Sequence, residues 1–124
     1  MAIEFAIDDE RVDEATHVVV VHGEVDLFTA PEFKERISAL IDAGVQRVVV
    51  DLTGVSFIDS SSLGVLIGAH KRLAAADPGD GEHGLTVVCS DRAIVNTFKI
   101  TGLDQVFPIV ATREDAVAKG GRAS

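Results

Sequence analysis

The sequence predicts an α/β fold: a single domain with a mixed, mostly parallel sheet and packed helices. Three observations carry this. From residue 16 onward, strand-like and helix-like segments alternate, the pattern of a sheet built through right-handed crossovers. Residues 47–52, "RVVVDL", are apolar up to their acid, as expected of a central parallel strand covered on both faces. The 124 residues, 47% hydrophobic and 25% charged, suit one hydrophobic core, with no internal repeat and no linker to divide them.

Taken in order, alternation in "IEFAID" predicts a short strand from Ile3 to Ile7, and "THVVVVHGEVD" predicts a second from Thr16 to Val25. The two should pair through a turn near Asp8 to Asp13. In "TAPEFKERISALIDAG", Thr29 is placed to cap a helix, Glu32 to complete a capping box, Pro31 to fill the first turn and Gly44 to end it. Phe33, Ile37, Leu40 and Ile41 share one face of that helix. After the strand from Arg47 to Leu52, a polar join opens a second helix whose Leu63, Leu66, Ile67, His70 and Leu73 form a stripe. "DPGDGEHG" reads as a surface loop and "LTVVCS" as a strand. "SDRAIVNTFKITGL" is a helix capped by Ser90 or Asp91 and closed by Gly102. "VFPIV" gives a last short strand, and a short helix begins over Glu114 to Ala118. The domain is expected to span residues 1–118, with 119–124 as a flexible tail.

Composition and motifs exclude several functions. Acidic residues outnumber basic ones 20 to 11, and a net charge of -9 repels nucleic acid and anionic membranes. No apolar run approaches the ~20 residues that span a bilayer, and the N-terminus lacks a cationic segment followed by an apolar stretch, so a cytoplasmic location is expected. Cys89 is the lone cysteine, which rules out an internal disulfide and suits a small buried residue. His17 and His22 lie five apart on one strand and face opposite ways, and His83 is in a loop, so no zinc site is expected. His70, on the apolar stripe, reads as a partly buried, hydrogen-bonded histidine rather than a ligand. Glycine-rich nucleotide loops are missing, and no cofactor is expected.

The join "FIDSSSLG" closes a central strand and opens a helix, at the carboxyl edge where α/β sheets place their working residues. Capping by Asp59 or Ser60 explains one polar residue here, but not three serines beside Phe57 and Ile58. A hydrolase reading of Ser60, Ser61 or Ser62 lacks the glycines of a nucleophile elbow and a later Asp and His pair.

The segment "DLTGVSFIDSSSLGVLIGAHKRL" closely resembles the signature of bacterial anti-sigma-factor antagonists, the stand-alone members of the STAS domain family. "VHGEVDLFTAPEF" and "FKITGLDQVFPIV" resemble two further segments of that family, in the same order. The resemblance implies a switch, in which the unphosphorylated antagonist binds an anti-sigma factor that is also a serine kinase of the GHKL ATPase type and so frees a sigma factor. Phosphorylation of the serine after the motif aspartate ends the interaction, and a metal-dependent phosphatase reverses it. Carried over, the phosphoacceptor is Ser60, with Asp26, Asp59, Ser61 and Ser62 as partner-binding neighbours, and the chain itself is not an enzyme. Ser62 stands where the family usually has glycine, which makes Ser61 or Ser62 a competing acceptor. A stressosome-type scaffold, or another STAS accessory protein binding a nucleotide or lipid, is the alternative role within the same fold.

Overall fold

β-Branched runs such as "HVVVV" and "RVVV" favour extended backbone, because their side chains pack well on a pleated surface. In the computed structural model, which describes residues 4–76 and 84–116, they form the centre of one sheet. Its strands are β1 (Ala6–Arg11), β2 (Thr16–Val25), β3 (Arg47–Ile58), β4 (Gly84–Val88) and β5 (Ile109–Val110), neighbours in that order. β1 runs antiparallel to β2, and every later pairing is parallel, giving the mixed, mostly parallel sheet the sequence predicts.

Three helices connect the parallel strands: α1 (Ala30–Asp42), α2 (Ser60–Ala76) and α3 (Arg92–Thr101). Each crossover steps one strand further in the same direction, so right-handed connections place all three helices on one face. The main core lies beneath them, joining Val19, Val50, Leu52 and Val87 of the sheet to Phe33, Leu66 and Phe98 of the helices. On the opposite face Val18, Val49 and Val88 are closed by Ala116, from a helical turn at residues 113–116. Arg113 in that turn donates to Asp51 Oδ2 at 3.2 Å and to Glu10 Oε1 at 3.1 Å, supplying the cation that a buried carboxylate requires.

Several boundaries differ from the sequence reading. The first strand continues to Arg11, pairing Ala6 with His22 through to Arg11 with His17, so the expected turn residues lie in the ladder. An edge strand tolerates this, since Asp8, Asp9 and Glu10 all stay exposed to water on its two faces. The turn falls later, where Asp13 Oδ1 accepts from Ala15 N and Thr16 N, both at 2.9 Å. β3 does not end at Leu52. It absorbs the polar join as far as Ile58, with register shifts that leave extra residues on β3 opposite β2. At one shift the backbone of Gly54 approaches the His22 ring so closely that any Cβ there would collide with it. Phe57 is half exposed, whereas Ile58 is buried in the core. On α2 the buried positions are Ser62, Leu63, Leu66, Ala69 and Leu73, while Ile67 and His70 are only half-buried.

Helix ends follow local chemistry. At the end of α1, Val45 N donates to Leu40 O and Gly44 N to Ile41 O, with Gly44 at φ +100°, a Schellman closure that needs glycine. Asp91 caps α3 through Ala93 N and Ile94 N, and Gly102 ends it at φ +80°. Residues 77–83 of the expected loop, Ile3, residues 117–118 of the last expected helix and the expected tail at 119–124 lie outside the described residues.

Candidate functional site

β2 and β3 end side by side, with Val25 and Ile58 as register partners. Asp26 and Asp59 are the next residues of each strand, so both carboxylates stand at the same carboxyl edge of the sheet, as expected. Asp59 is the only residue between β3 and α2. Its backbone N donates to Val25 O at 3.2 Å, and its Oδ1 accepts from Ser61 N at 3.0 Å and Ser62 N at 3.3 Å. Asp59, rather than Ser60, therefore caps α2, as its short side chain can reach back to the second and third amides of the helix.

The three serines have separate fates. Ser60 is exposed, and no hydrogen bond engages its hydroxyl among the described residues. Ser61 is half-buried and borders a groove between α1 and α2. Ser62 is fully buried, 0% exposed, and its hydroxyl donates to Val25 O at 2.6 Å. The expected surface role for Ser62 is corrected on that ground, because its oxygen is sealed between α2 and β2. The signal was present in the sequence: Ser62, Leu66, Ala69 and Leu73 recur at helical spacing.

Asp26 organises the loop before α1. Its Oδ1 accepts from Phe28 N at 2.9 Å and Thr29 N at 3.1 Å. Thr29 does not cap α1, and the expected capping box is not formed. Its hydroxyl donates instead to Glu24 O at 3.0 Å and accepts from Asp26 N at 2.9 Å. These bonds hold Leu27 and Phe28 outward, 66% and 87% exposed. The sequence reading passed over Leu27 and Phe28. Two large apolar residues in a loop, "DLFTAP", were the available signal.

The site holds carboxylates, a free hydroxyl and apolar side chains, which suit recognition better than bond-making. No group of His, Cys, Asp and Glu able to hold a metal occurs among the described residues. His70 is half-buried, as expected, and packs on Phe107, ring centroids 6.0 Å apart; its buried Nδ1 has no partner among the described residues. Cys89 is buried in the core, and desolvation pushes its thiol above the ordinary range.

Against known families, the STAS domain model matches residues 6–116. The chain belongs to the STAS domain family. This STAS chain is 38% identical over 103 residues to the anti-sigma-B factor antagonist of Listeria monocytogenes, covering 82% of this chain and 81% of the relative. The crystal structure of an anti-sigma factor antagonist from Mycobacterium paratuberculosis matches this STAS fold with a TM-score of 0.84, at 29% identity over 96% of each chain. SpoIIAA, a Bacillus cell fate determinant solved in its phosphorylated form, matches with a TM-score of 0.67, at 25% identity over 92% of this chain and 98% of its own. No helix among the described residues is long and apolar enough to cross a membrane.

Proposed function

We propose that this STAS domain is an anti-sigma-factor antagonist, a cytoplasmic regulatory binding protein rather than an enzyme, switched by phosphorylation of Ser60. The folded unit spans residues 1–118. Unphosphorylated, it binds an anti-sigma factor with GHKL-type serine kinase activity and releases the sigma factor. The kinase then phosphorylates Ser60, and a metal-dependent serine phosphatase restores the binding form. ATP and metal belong to those partners, so Asp26, Asp59 and Ser61 serve recognition and shape.

The observation that carries this reading is the isolation of the Ser60 hydroxyl. It stands exposed at the start of a rigid helix, while Asp59 takes the cap and Ser62 is sealed inside. A phosphate added there disturbs no bond of the fold. It brings about -1.5 to -2 charges beside the Asp59 carboxylate, and the added charge must be desolvated in any interface covering Ser60. Two unit charges ~4 Å apart near a protein surface interact by about 4 kcal/mol, and each 1.4 kcal/mol is about tenfold in affinity. A phosphate brought against a like charge of the partner at that distance is therefore enough to end a micromolar complex.

The test begins with capture of the kinase on the tagged chain. It is followed by titration of that kinase with unphosphorylated and phosphorylated protein. The phosphorylated form should bind at least about 100-fold more weakly. Equal affinities would remove the switch and leave a constitutive binder.

A further inference from the structure

Between α1 and α2 runs a groove of about 480 Å3, floored by Ile37, Ile41, Val65 and Ala69. Gly64 and Gly68 thin its α2 wall, and a Cβ added at either would meet nothing within 4 Å. The space is therefore open rather than filled by the fold's own side chains. The two helices run in the same direction, because each crosses between parallel strands, and the Arg72–Asp42 ion pair at 2.5 Å ties their C-terminal ends. Lys34 and Ser61, which also line the groove, consequently stand toward the other end.

Charge sets what this groove accepts. In a chain of net charge -9, its lining holds two cations, Lys34 and Arg72, and no carboxylate. Arg72 is matched by Asp42, whereas Lys34 has no ion-pair partner among the described residues. One positive charge without an ion-pair partner thus lines the end of an apolar trough where the Ser61 side chain also lies, the Asp59 carboxylate there being turned to the Ser61 and Ser62 amides. We propose that the groove binds a single-tailed aliphatic carboxylate, its head at Lys34 and Ser61 and its tail along Ile37, Ile41 and Val65.

Dimensions favour this occupant over a protein segment. From Ser61 to Arg72, α2 rises about 16 Å at 1.5 Å per residue, the scale of an extended medium-length tail. An extended peptide would bring N–H and C=O groups needing partners, and beyond the two cations the lining offers only the Ser38 and Ser61 hydroxyls. Methylenes need no such partners, and the volume lies in the ~300–1,000 Å3 range of small-molecule sites.

The experiment uses the isotope-labelled full chain, with octanoate as probe and octanol as its uncharged match, followed by amide chemical shifts. No kinase enters it, so its result is independent of the switch at Ser60. Octanoate should give saturable shifts at Ile37, Ile41, Gly64, Val65 and Gly68, and octanol should bind about three- to fivefold more weakly, the range of one exposed ion pair. Lys34→Gln should erase that preference while leaving octanol binding unchanged. Gly68→Leu fills open space with a better helix former, so it should keep a melting temperature at or above the parent's and lose both ligands. Gly64→Leu is the second block should Gly68→Leu fail to fold. Equal affinity for the two probes, unchanged binding by the folded leucine variants, or no saturable shift in the groove would overturn the site. So would sedimentation showing a dimer that the leucine variants dissociate, since a second copy would then be the occupant.

Discussion

A hydroxyl that donates to a buried carbonyl, as Ser62 does to Val25 O at 2.6 Å, is held for as long as the fold is formed. Ser62→Ala should destabilise the protein by about 1 kcal/mol, because Val25 O loses its shortest side-chain donor while keeping the Asp59 amide. Thermal melts should place Ser60→Ala within about 0.5 kcal/mol of wild type, since Ser60 is neither buried nor the cap. Asp59→Ala should cost about 1 kcal/mol through loss of the bonds from Ser61 N and Ser62 N, and Asp59→Asn distinctly less. A Ser60→Ala loss exceeding that of Asp59→Ala would contradict this assignment of the cap. The sequence displayed the polar cluster but did not rank it. Asp59 and Ser60 are equally good caps by residue type, and only the course of β3 to Ile58 decides which side chain reaches the amides. The family pattern, with glycine at the third serine, pointed outward, whereas the spacing Ser62, Leu66, Ala69, Leu73 pointed inward.

At the scale of elements, the loop between β2 and α1 is where an acid shapes an apolar surface. Asp26 is half-buried and bonds the amides of Phe28 and Thr29 from within the loop. Asp26→Ala should leave α1 and the sheet intact but release the Phe28 amide, read as faster hydrogen exchange at Phe28 with unchanged protection in β3, while Thr29 N keeps its bond to the Asp26 carbonyl. Asp26→Asn retains an acceptor oxygen and should stay near wild type in the same measurement. Loss of protection throughout β2 would contradict a local role. Local signals were legible where chemistry is local: Gly44 and Gly102 at positive φ, Pro31 in the first turn of α1, and Asp91 as the cap of α3. They misled where a partner strand decides. Asp8 to Arg11 look like a turn until β2 is beside them, and "TGVSF" looks like a loop until β2 pairs with it.

For the molecule as a whole, parallel order was legible because alternating strand and helix periods leave few right-handed solutions. The closure of the second face was not, since Arg113 meets Asp51 across a separation of 62 residues that no periodicity encodes. Burial of Cys89 gives a pH signature. Its thiol is raised by desolvation, so in alkaline solution the unfolded chain loses this proton before the folded one, and stability should fall as pH rises through the ordinary thiol range. Cys89→Ala should flatten that decline in pH-dependent melts, and an identical decline would assign it elsewhere. The central claim concerns Ser60. The most direct measurement is intact mass with peptide mapping of wild type, Ser60→Ala and Ser62→Ala after incubation with the captured kinase and ATP. Wild type and Ser62→Ala should each gain one phosphate, mapped to Ser60 and reducing kinase binding, and Ser60→Ala should gain none while still binding. A phosphate taken up by Ser60→Ala, or a Ser60 phosphate that leaves binding unchanged, would contradict the account.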